Sequence, residues 1–521
     1  MFKLSLTAAA ALSSLWLALS PAQAATTVAP VVKGPEAVQD WYNAGNQFIA
    51  EGKRLVPNVR RAKNVIFFVG DGMGISTQTA ARILEGQLNG KTGEENRLSF
   101  ETLPYSALSK TYSWDQQTSD SAPTMTAMIT GYKTRESMLS VNHTTARFEC
   151  DGNVIATKSL PTMLELAAAY GKATGVVSTA RLTHATPAAT YAHTAVRDWE
   201  SDKEIGSTCA NYANPVKDIA RQLIEVSPTV RNSLKVAMGG GRTYFLPKTL
   251  KDPEYSGTVG RRNDGRNLTA EWVSTRGGDA RYVWNRAGFD AIDPATSGPV
   301  LGLFEPSHMQ YEADRKADTA GEPSLTEMTE KSIKLLQKSP NGFFLHVEAG
   351  RIDHGHHAGN AKRALLDTIE LSNAVRKAME LTSDADTLII VSADHSHTFT
   401  VAGYPHRGND ILGLVKPVPN VDGTSVSPSL ADDGKPYTTL GYMNGPGVTA
   451  SQIASGVRPD LSSVDTTALG FLQQAAIPLS SSETHAGEDV GVWARGPKAY
   501  LVRGSMEQNW IFHVMKEAFG F

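Results

Sequence analysis

Four apolar runs along the 521-residue chain predict strands of a buried sheet. Their central positions are consecutive apolar residues, a pattern typical of strands that are covered on both faces. Helical patterns separate them; after the third run, Leu371, Val375 and Met379 recur at steps of four and therefore share one helix face. Strands alternating with helices predict an α/β fold, a three-layer α/β/α sandwich around a large, mostly parallel central sheet. The runs are NVIFFVG (64–70), TGVVST (174–179), GFFLHVE (342–348) and DTLIIVSA (386–393).

Two segments depart from this alternation. Residues 36–55 have the pattern of an amphipathic helix near the N-terminus. Residues 398–480 are rich in Gly, Pro, Ser and Asp and interrupt the α/β order. We interpret them as an insertion and not as a linker, because residues with candidate chemistry lie on both sides. The apolar stripe of the helix consists of Val38, Trp41, Tyr42, Phe48 and Ile49.

The first 24 residues have the features of a secretory signal peptide. Lys3 provides a positive charge, an apolar stretch follows to about residue 19, and Ala22-Gln23-Ala24 matches a cleavage site. A transmembrane span is the alternative, but serines and Pro21 leave the apolar stretch too short. We therefore expect export to the periplasm or the medium, with a mature start at Ala25. The chain ends in HVMKEAFGF, so no lipid anchor is expected.

Composition and charge fit an ordinary globular protein. The chain is 41% hydrophobic and 20% charged, with a formal charge of −3, and nothing in it favours a nucleic-acid or membrane-surface partner. Its two cysteines, Cys150 and Cys209, would be free thiols in a cytosolic protein. In an exported protein a disulfide is favoured, and closing a loop of 59 residues would stabilise the fold by on the order of 4 kcal/mol.

Acidic residues and histidines follow three of the four apolar runs. A single acidic residue at a strand end is usually a turn or a helix cap, but several together would repel one another without cations. Asp353 and His357 are spaced i and i+4, which places them side by side on a helix. Mixed nitrogen and oxygen donors suit zinc, whereas oxygen donors alone suit magnesium. The residues are Asp71, Glu348, Asp353, His357, Asp394 and His395.

A second candidate element is TSDSAPTMTAMITGYKT (118–134). Pro123 is typical of the first turn of a helix, so Ser121 is predicted at a helix N-terminus. Free N–H groups and the helix dipole favour an anion such as phosphate at that position. The simpler interpretation is that Ser121 only caps the helix.

Six motifs in this order resemble the alkaline phosphatase family over nearly the whole mature chain. The resemblance implies an alkaline phosphatase-like fold, with an N-terminal arm at 25–60 and a single catalytic domain at 61–521. It also implies a crown-like insertion at about 398–480 and hydrolysis of phosphate monoesters, with broad specificity for the alcohol. The motifs are FFVGDGMG (67–74), DSAPTMTA (120–127), THATPAATYAH (183–193), VEAGRIDHGHHAG (347–359), SADHSH (392–397) and ETHAGED (483–489).

The resemblance also implies roles for individual residues. Ser121 matches the nucleophile that becomes phosphoserine, and Arg197 matches the arginine that binds the phosphate oxygens. His184 and His354 match positions around the metal ligands, and His356 is expected to be structural. The implied ligands are Asp353, His357 and His485 for one zinc, Asp71, Asp394 and His395 for a second zinc, and Asp71, Thr186 and Glu348 for magnesium.

Further features follow from the same resemblance. The N-terminal helix and the insertion imply a homodimer, and Cys150 and Cys209 match a disulfide of some relatives. A peripheral calcium site is implied as well, although the relatives have Asp where Glu322 stands. The calcium residues would be Glu254, Phe304, Glu305 and Glu322.

Two alternatives remain open from the sequence. A phosphodiesterase or sulfatase of the same superfamily often has Thr or a modified Cys as nucleophile, whereas this chain has Ser121. A catalytically dead metal-binding interaction protein would lack the nucleophile, a ligand or the arginine, and none is missing. The physiological substrate and the use of the glycosylation sequons at Asn142 and Asn267 are not defined by the sequence.

Overall fold

The computed structural model describes residues 37–419 and 427–521. The signal peptide predicted at 1–24 and the start of the arm lie outside these residues. The strands of the described residues are β1 Asn64–Gly70, β2 Tyr105–Lys110, β3 Ala173–Arg181, β4 Leu234–Gly240, β5 Arg281–Val283, β6 Val300–Leu303, β7 Phe343–Ala349, β8 Thr387–Ala393, β9 Ser396–His397, β10 Phe399–Val401, β11 Leu440–Gly445, β12 Ala475–Pro478, β13 His485–Ala486, β14 Val490–Arg495 and β15 Ser505–Glu507. Ten of them form one sheet in the order β15-β2-β14-β8-β1-β7-β3-β4-β6-β5.

The four predicted runs are the four adjacent strands β8, β1, β7 and β3, and the pairings among these four strands are parallel. Strand β14 is antiparallel to both of its neighbours, and the remaining pairings in this sheet are parallel. The predicted α/β fold with a large, mostly parallel sheet is therefore confirmed. The parallel register also brings the carboxyl ends of β1, β7 and β8 to one edge, since Gly70 pairs with both Ala349 and Ala393.

Helices cover both faces of the sheet. Val65 and Phe67 of β1 point into one hydrophobic core, while Ile66 and Phe68 point into the other, as the period-two alternation of a strand requires. Because each of these side chains is fully buried, truncating one such as Phe67 to Ala would destabilise the fold by about 3–5 kcal/mol. Two cores on opposite faces make the three-layer sandwich that the sequence predicts.

The helices follow the strands in chain order. They are α1 Val38–Arg54, α2 Ile75–Leu88, α3 Ser121–Thr130, α4 Gly152–Lys158, α5 Met163–Ala169, α6 Ala185–Ala188, α7 Asp202–Ile205, α8 Ile219–Ile224, α9 Pro228–Ser233, α10 Arg242–Phe245, α11 Leu268–Arg276, α12 Arg286–Asp290, α13 Leu325–Leu336, α14 Arg351–His357, α15 Ala361–Leu381, α16 Ala450–Ser455 and α17 Trp510–Phe519, with 3-10 turns at Ser99–Thr102, Arg315–Ala317 and Ala499–Leu501. Residues of α3, α5, α8, α11 and α17 contribute to one core, and residues of α2, α13 and α15 contribute to the other.

Two segments lie outside this sandwich. Strands β10, β11 and β12 form a separate three-stranded sheet inside the predicted insertion. Helix α1 buries none of its residues in this chain, and its apolar stripe is solvent-exposed, with Val38 95% and Phe48 68% accessible. The predicted helix is present, two residues shorter at its start and one at its end.

Cys150 and Cys209 form a disulfide, with their Cα atoms 5.2 Å apart. Both cysteines are buried in a small satellite core beside Trp199 and Val216. Among the residues that the structure describes, no helix has the length and apolar character needed to cross a membrane.

Candidate active site

Ser121 is the first residue of α3, as the sequence predicts, but it does not cap the helix. Asp120 is the N-cap, and its carboxylate accepts a hydrogen bond from the Ala122 N–H at 2.8 Å. The Ser121 hydroxyl is thus free of a capping role and buried, 3.1 Å from His395 Nε2 and 3.4 Å from Asp71 Oδ1. The interpretation of Ser121 as a simple N-cap is therefore wrong, because the preceding aspartate takes that role.

Asp71, Asp394 and His395 converge at the carboxyl ends of β1 and β8. His395 Nε2 lies 3.3 Å from Asp71 Oδ1 and 3.3 Å from Asp394 Oδ2. The backbone N–H groups of Gly72 and His395 both donate to Asp394 Oδ1 at 2.9 Å, which fixes that carboxylate. The Nδ1 atom of His395 faces the Ser396 carbonyl oxygen at 3.3 Å, so the lone pair of Nε2 is directed at the two carboxylates. These three residues form a candidate metal-binding group.

Asp353, His357 and His485 form a second convergence. Asp353 Oδ1 lies 3.3 Å from Nε2 of His357, its i+4 neighbour in α14, and 3.3 Å from Nε2 of His485. The two Nε2 atoms are 3.1 Å apart. Each Nδ1 faces a backbone carbonyl, that of Glu483 at 2.7 Å for His357 and that of Ser119 at 2.8 Å for His485. Imidazoles that donate from Nδ1 present an unprotonated Nε2, which is the form that binds a metal.

Asp71, Thr186 and Glu348 form the third predicted set. The Thr186 hydroxyl lies 3.5 Å from Asp71 Oδ2, and Glu348 Oε2 accepts a hydrogen bond from the Ser178 hydroxyl. Glu348 Oε1 is buried and has no hydrogen-bond partner within the described ranges. Burial, followed by the charge of Asp394, raises the pKa of Glu348 to about 8. An orphaned, buried carboxylate oxygen fits a site built for a cation.

The electrostatics of the whole cluster also fit bound cations. Burial raises the pKa of Asp71 well above its usual value, and the charges of Asp394, Asp353 and Glu348 raise it further. Burial lowers the pKa of His395 well below its usual value, which favours a neutral imidazole. Four buried carboxylates with neutral imidazoles are a set of donors that positive ions stabilise.

Arg197 lies beside this cluster. Its Nη2 atom is 3.0 Å from His184 Nε2, and its Nη1 atom is 4.0 Å from Asp120 Oδ1. Burial works against its charge, but the carboxylates of Asp120 and Asp198 more than offset that effect and raise the pKa of Arg197. A charged guanidinium beside Asp120, the residue before Ser121, suits the binding of two phosphate oxygens.

The predicted residues His184 and His354 form a histidine cluster together with His308. The ring centroids of His308 and His354 are 4.0 Å apart, and those of His184 and His354 are 5.4 Å apart. His308 follows the GLFEP stretch and was not among the predicted residues. The ring nitrogens of His356, which is expected to be structural, contact the Thr77 hydroxyl at 2.9 Å and the Tyr442 hydroxyl at 2.8 Å.

His397 and Glu483 are further residues that the sequence interpretation missed. His397 Nε2 lies 2.9 Å from Asp353 Oδ1, and its Nδ1 lies 2.6 Å from Glu483 Oε2. Burial lowers the pKa of His397, but Glu483 and Asp353 more than offset this and raise it to about 10. His397 is therefore an imidazolium that holds Asp353 in place. Both residues occur in quoted motifs, SADHSH and ETHAGED, so their spacing from His395 and His485 was the available signal.

The predicted calcium residues meet at the periphery, together with Asp318. Burial, and then the charges of Glu305 and Asp318, raises the pKa of Glu322 to about 9. Burial, and then Glu254 and Asp318, raises the pKa of Glu305 to about 7. Two oxygens, Glu322 Oε2 and Asp318 Oδ2, are buried without a partner in the part of the chain described. Arg242 competes for this group, because it pairs with Glu254 at 2.9 Å and donates to the Phe304 carbonyl at 3.2 Å.

Comparisons with known proteins show the family of this chain. The family model described as alkaline phosphatase matches residues 62–521. The chain is 46% identical over 493 residues to the tissue-nonspecific alkaline phosphatase of Felis catus, covering 93% of this chain and 89% of that protein. It is 44% identical over 465 residues to the alkaline phosphatase of Gadus morhua, covering 88% and 92% respectively. The solved Thermus thermophilus alkaline phosphatase aligns with a TM-score of 0.61 at 24% identity, over 89% of this chain and 93% of that one.

Proposed function

The chain belongs to the alkaline phosphatase family, and on that premise we propose that it hydrolyses phosphate monoesters through a phosphoserine at Ser121. The observation that supports this role most directly is the position of the Ser121 hydroxyl. It lies at the N-terminus of α3, 3.1 Å from His395 Nε2 and 3.4 Å from Asp71 Oδ1, and it does not cap the helix. A buried hydroxyl at a helix N-terminus, beside four carboxylates and an arginine, is where a phosphate ester and its nucleophile would meet.

The proposed reaction has two displacements at phosphorus. The deprotonated Ser121 oxygen attacks, the Oγ–P bond forms and the ester P–O bond breaks, and the leaving alkoxide takes a proton from water. A water molecule that has lost its proton then attacks the phosphoserine, which breaks the Oγ–P bond and releases inorganic phosphate. Ser121 recovers its proton, so the chain is unchanged at the end of the cycle.

Arg197 would bind and orient the phosphate in both displacements. Its guanidinium is held between His184 and Asp120, so its planar fork is fixed before substrate arrives. Orientation of this kind lowers the entropy that must be lost on the way to the transition state. None of these residues has a proposed role in binding the alcohol portion of the ester, and we therefore propose broad specificity among monoesters.

We further propose that two zinc ions and one magnesium ion complete the site. When bound, these cations would stabilise the serine alkoxide, the leaving alkoxide and the phosphate oxygens. The mixed donor sets suit zinc, and the oxygen set suits magnesium. Asp353, His357 and His485 would hold one zinc, Asp71, Asp394 and His395 the second, and Asp71, Thr186 and Glu348 the magnesium.

The test of the nucleophile is Ser121→Ala assayed on a chromogenic phosphate monoester. Turnover should fall by at least about 10³-fold, as expected when a covalent nucleophile is removed, while the metal content per chain stays that of the parent. Ser109→Ala is the matched control, because Ser109 is also buried and its hydroxyl has no hydrogen-bond partner among the described residues. Unchanged turnover in Ser121→Ala would exclude the phosphoserine. Preference for diester or sulfate substrates in the parent would favour the superfamily alternative.

A homodimer is the proposed assembly. The apolar stripe of α1 is exposed and touches no core of its own chain, and a second copy would cover it. Deleting residues up to Arg54 should convert a dimer to a monomer in light scattering. A parent mass that equals one chain at every concentration would contradict the proposal.

Export and a calcium site complete the proposal. The disulfide between Cys150 and Cys209 suits an oxidising compartment, and N-terminal sequencing of exported protein should begin at Ala25. The carboxylates of Glu254, Glu305 and Glu322 with the Phe304 carbonyl would bind calcium, with Asp318 as an added donor.

A further inference from the structure

A cavity of about 610 Å³ opens at the amino-terminal edge of the central sheet. Its walls include Ala173 at the start of β3, Lys235 near the start of β4, and the loops that lead into β6 and β7. The seven residues of β7 separate this edge from the catalytic edge by about 23 Å at the usual rise per residue. The cavity is therefore apart from the catalytic cluster.

Three lysines line the cavity, and none of its lining residues is acidic. The Lys172 ammonium donates to the Lys63 and Asn341 carbonyls at 3.0 Å each, and the Lys338 ammonium donates to the Ser297 carbonyl at 2.8 Å. Lys235 makes no ion pair and no side-chain hydrogen bond with any residue that the structure describes. One cation at the cavity wall thus has no hydrogen-bond or ion-pair partner among the described residues. The hydrogen bonds of the two others go to neutral carbonyl groups, and the Lys172 ammonium also lies 4.4 Å from the centroid of the Phe519 ring.

Two arginines near Lys235 add further positive charge. Arg276 donates to the Arg231 carbonyl at 2.8 Å, and the Nε atoms of both arginines are buried without a partner within the described ranges. Burial and Arg231 lower the pKa of Arg276 to about 9. Burial, Arg276 and Lys338 lower the pKa of Lys235. Positive charges that destabilise one another in this way would be stabilised by a bound anion.

The rest of the cavity wall is uncharged and has an apolar part and a polar part. Ala168, Leu335, Pro299 and Pro340 give it an apolar side, and Thr229 and Asn232 offer uncharged polar groups. A volume of about 610 Å³ lies within the range of small-molecule sites. We propose that this cavity is a second binding site of the protein, for a small organic anion whose acidic group lies at Lys235 and whose apolar part contacts Leu335 and Pro340.

Calorimetric titration of the metal-loaded enzyme with naphthalene-1-sulfonate tests the proposal. This probe has one acidic group and a compact apolar body, and it contains no phosphate ester to be hydrolysed. We expect one site per chain, and Lys235→Met should weaken the binding by about ten- to a hundredfold, the effect of one charged hydrogen bond. Lys248→Met is the control, since Lys248 is exposed, lies outside the cavity lining and donates to the Asn263 side chain.

Three outcomes would overturn the proposal: no binding, binding that Lys235→Met leaves unchanged, or competitive inhibition of monoester hydrolysis with a constant equal to the calorimetric Kd. The last result would place the probe at the catalytic site. Lys338→Met serves as a second variant, because Lys338 is exposed and its removal leaves the core intact. If Lys235→Met fails to fold, the loss of binding in Lys338→Met decides the question in the same way.

Discussion

The two edges of the central sheet carry opposite uncompensated charges. At the carboxyl edge, burial raises the pKa values of Asp71 and Glu348, and neutral histidines lie beside them. At the amino edge, burial lowers the pKa values of Lys172 and Lys235, and no acid lines the cavity. The charged groups at each edge thus lack partners of the opposite charge. Each edge therefore indicates a ligand of that opposite charge.

The edges differ in how tightly their groups converge. At the carboxyl edge, donor atoms from several strands and helices lie 3.1–3.5 Å apart and aim at common points, which is the geometry of metal coordination. At the amino edge, two of the three ammonium groups are held by backbone carbonyls and surround an open volume. We infer that the first edge selects ions by geometry, whereas the second accepts a class of molecules by charge.

Removal of one central carboxylate should have the largest effect. Asp71→Asn should reduce turnover by about 10³-fold or more, since the cations contribute several kcal/mol to transition-state stabilisation. In chelator the variant should be more stable than the parent, because it no longer buries a repelled charge. In zinc the order should reverse, because a ligand at 1,000 times its Kd stabilises by about 4 kcal/mol.

Thermal unfolding with and without zinc measures both expected changes in stability, the gain in chelator and the loss in zinc. Asp367→Asn is the control, since Asp367 is also a buried carboxylate with a raised pKa and lies outside the catalytic set. It should keep full activity and the full zinc effect. An Asp71→Asn variant that zinc stabilises as much as the parent would contradict the assignment of Asp71 as a ligand.

A smaller loss is expected at His397, which touches Asp353 but is no proposed ligand. His397→Asn should lower zinc affinity or turnover by about 10- to 100-fold, the usual cost of losing a group that orients a metal ligand. His356→Asn is the comparison, because His356 contacts Thr77 and Tyr442 instead of a ligand. Equal losses of zinc affinity in both variants would show that His397 acts only through stability.

Calcium should act in a pH-dependent way at the peripheral carboxylates. The folded pKa values of Glu305 and Glu322 are raised to about 7 and about 9, so cation-free protein loses stability as pH rises from about 4.5 through these values. Calcium should therefore raise the Tm clearly at pH 9, by the equivalent of about 2.7 kcal/mol at 100 times its Kd, and little at pH 5. Glu322→Gln should weaken this effect. A calcium effect equal at both pH values would contradict the site.

The smallest effect is expected at the amino edge. Lys235→Met should stabilise the ligand-free protein by about 0.5 kcal/mol at low salt, because it removes repulsion from Arg276 and Lys338 at a partly solvated position. Added salt should reduce the difference from the parent. The Lys248→Met variant should show neither change in chemical denaturation. A destabilised Lys235→Met would mean that the lysine is compensated in the ligand-free protein.

The sheet and the proximity of Asp353 and His357 were predictable because both follow from local pattern. Runs such as NVIFFVG have central apolar residues on both faces, which fits the inner strands, and Asp353 and His357 needed only helix periodicity to be paired. The role of Asp120 as the cap of α3 was missed, because Ser and Asp are both good caps and only backbone geometry separates them.

Other features depend on contacts between distant segments. His397 and Glu483 are 86 residues apart and meet only through the pairing of β9 with β13. His308 joins His184 and His354 from a third segment. The cavity lysines come from separate segments of the chain, and each is an ordinary surface lysine in the sequence until the fold brings them to one cavity without an acidic lining residue. Sequence periodicity does not predict such contacts between distant segments.

The most direct test of the phosphoserine is to trap it. Metal-loaded enzyme is mixed with excess phosphate monoester, quenched in acid within one turnover, digested and analysed by mass spectrometry. The account predicts phosphate on the peptide that holds Ser121, with none there in Ser121→Ala. Phosphate on another residue, or a phosphate-free enzyme during active turnover, would contradict the central role of Ser121.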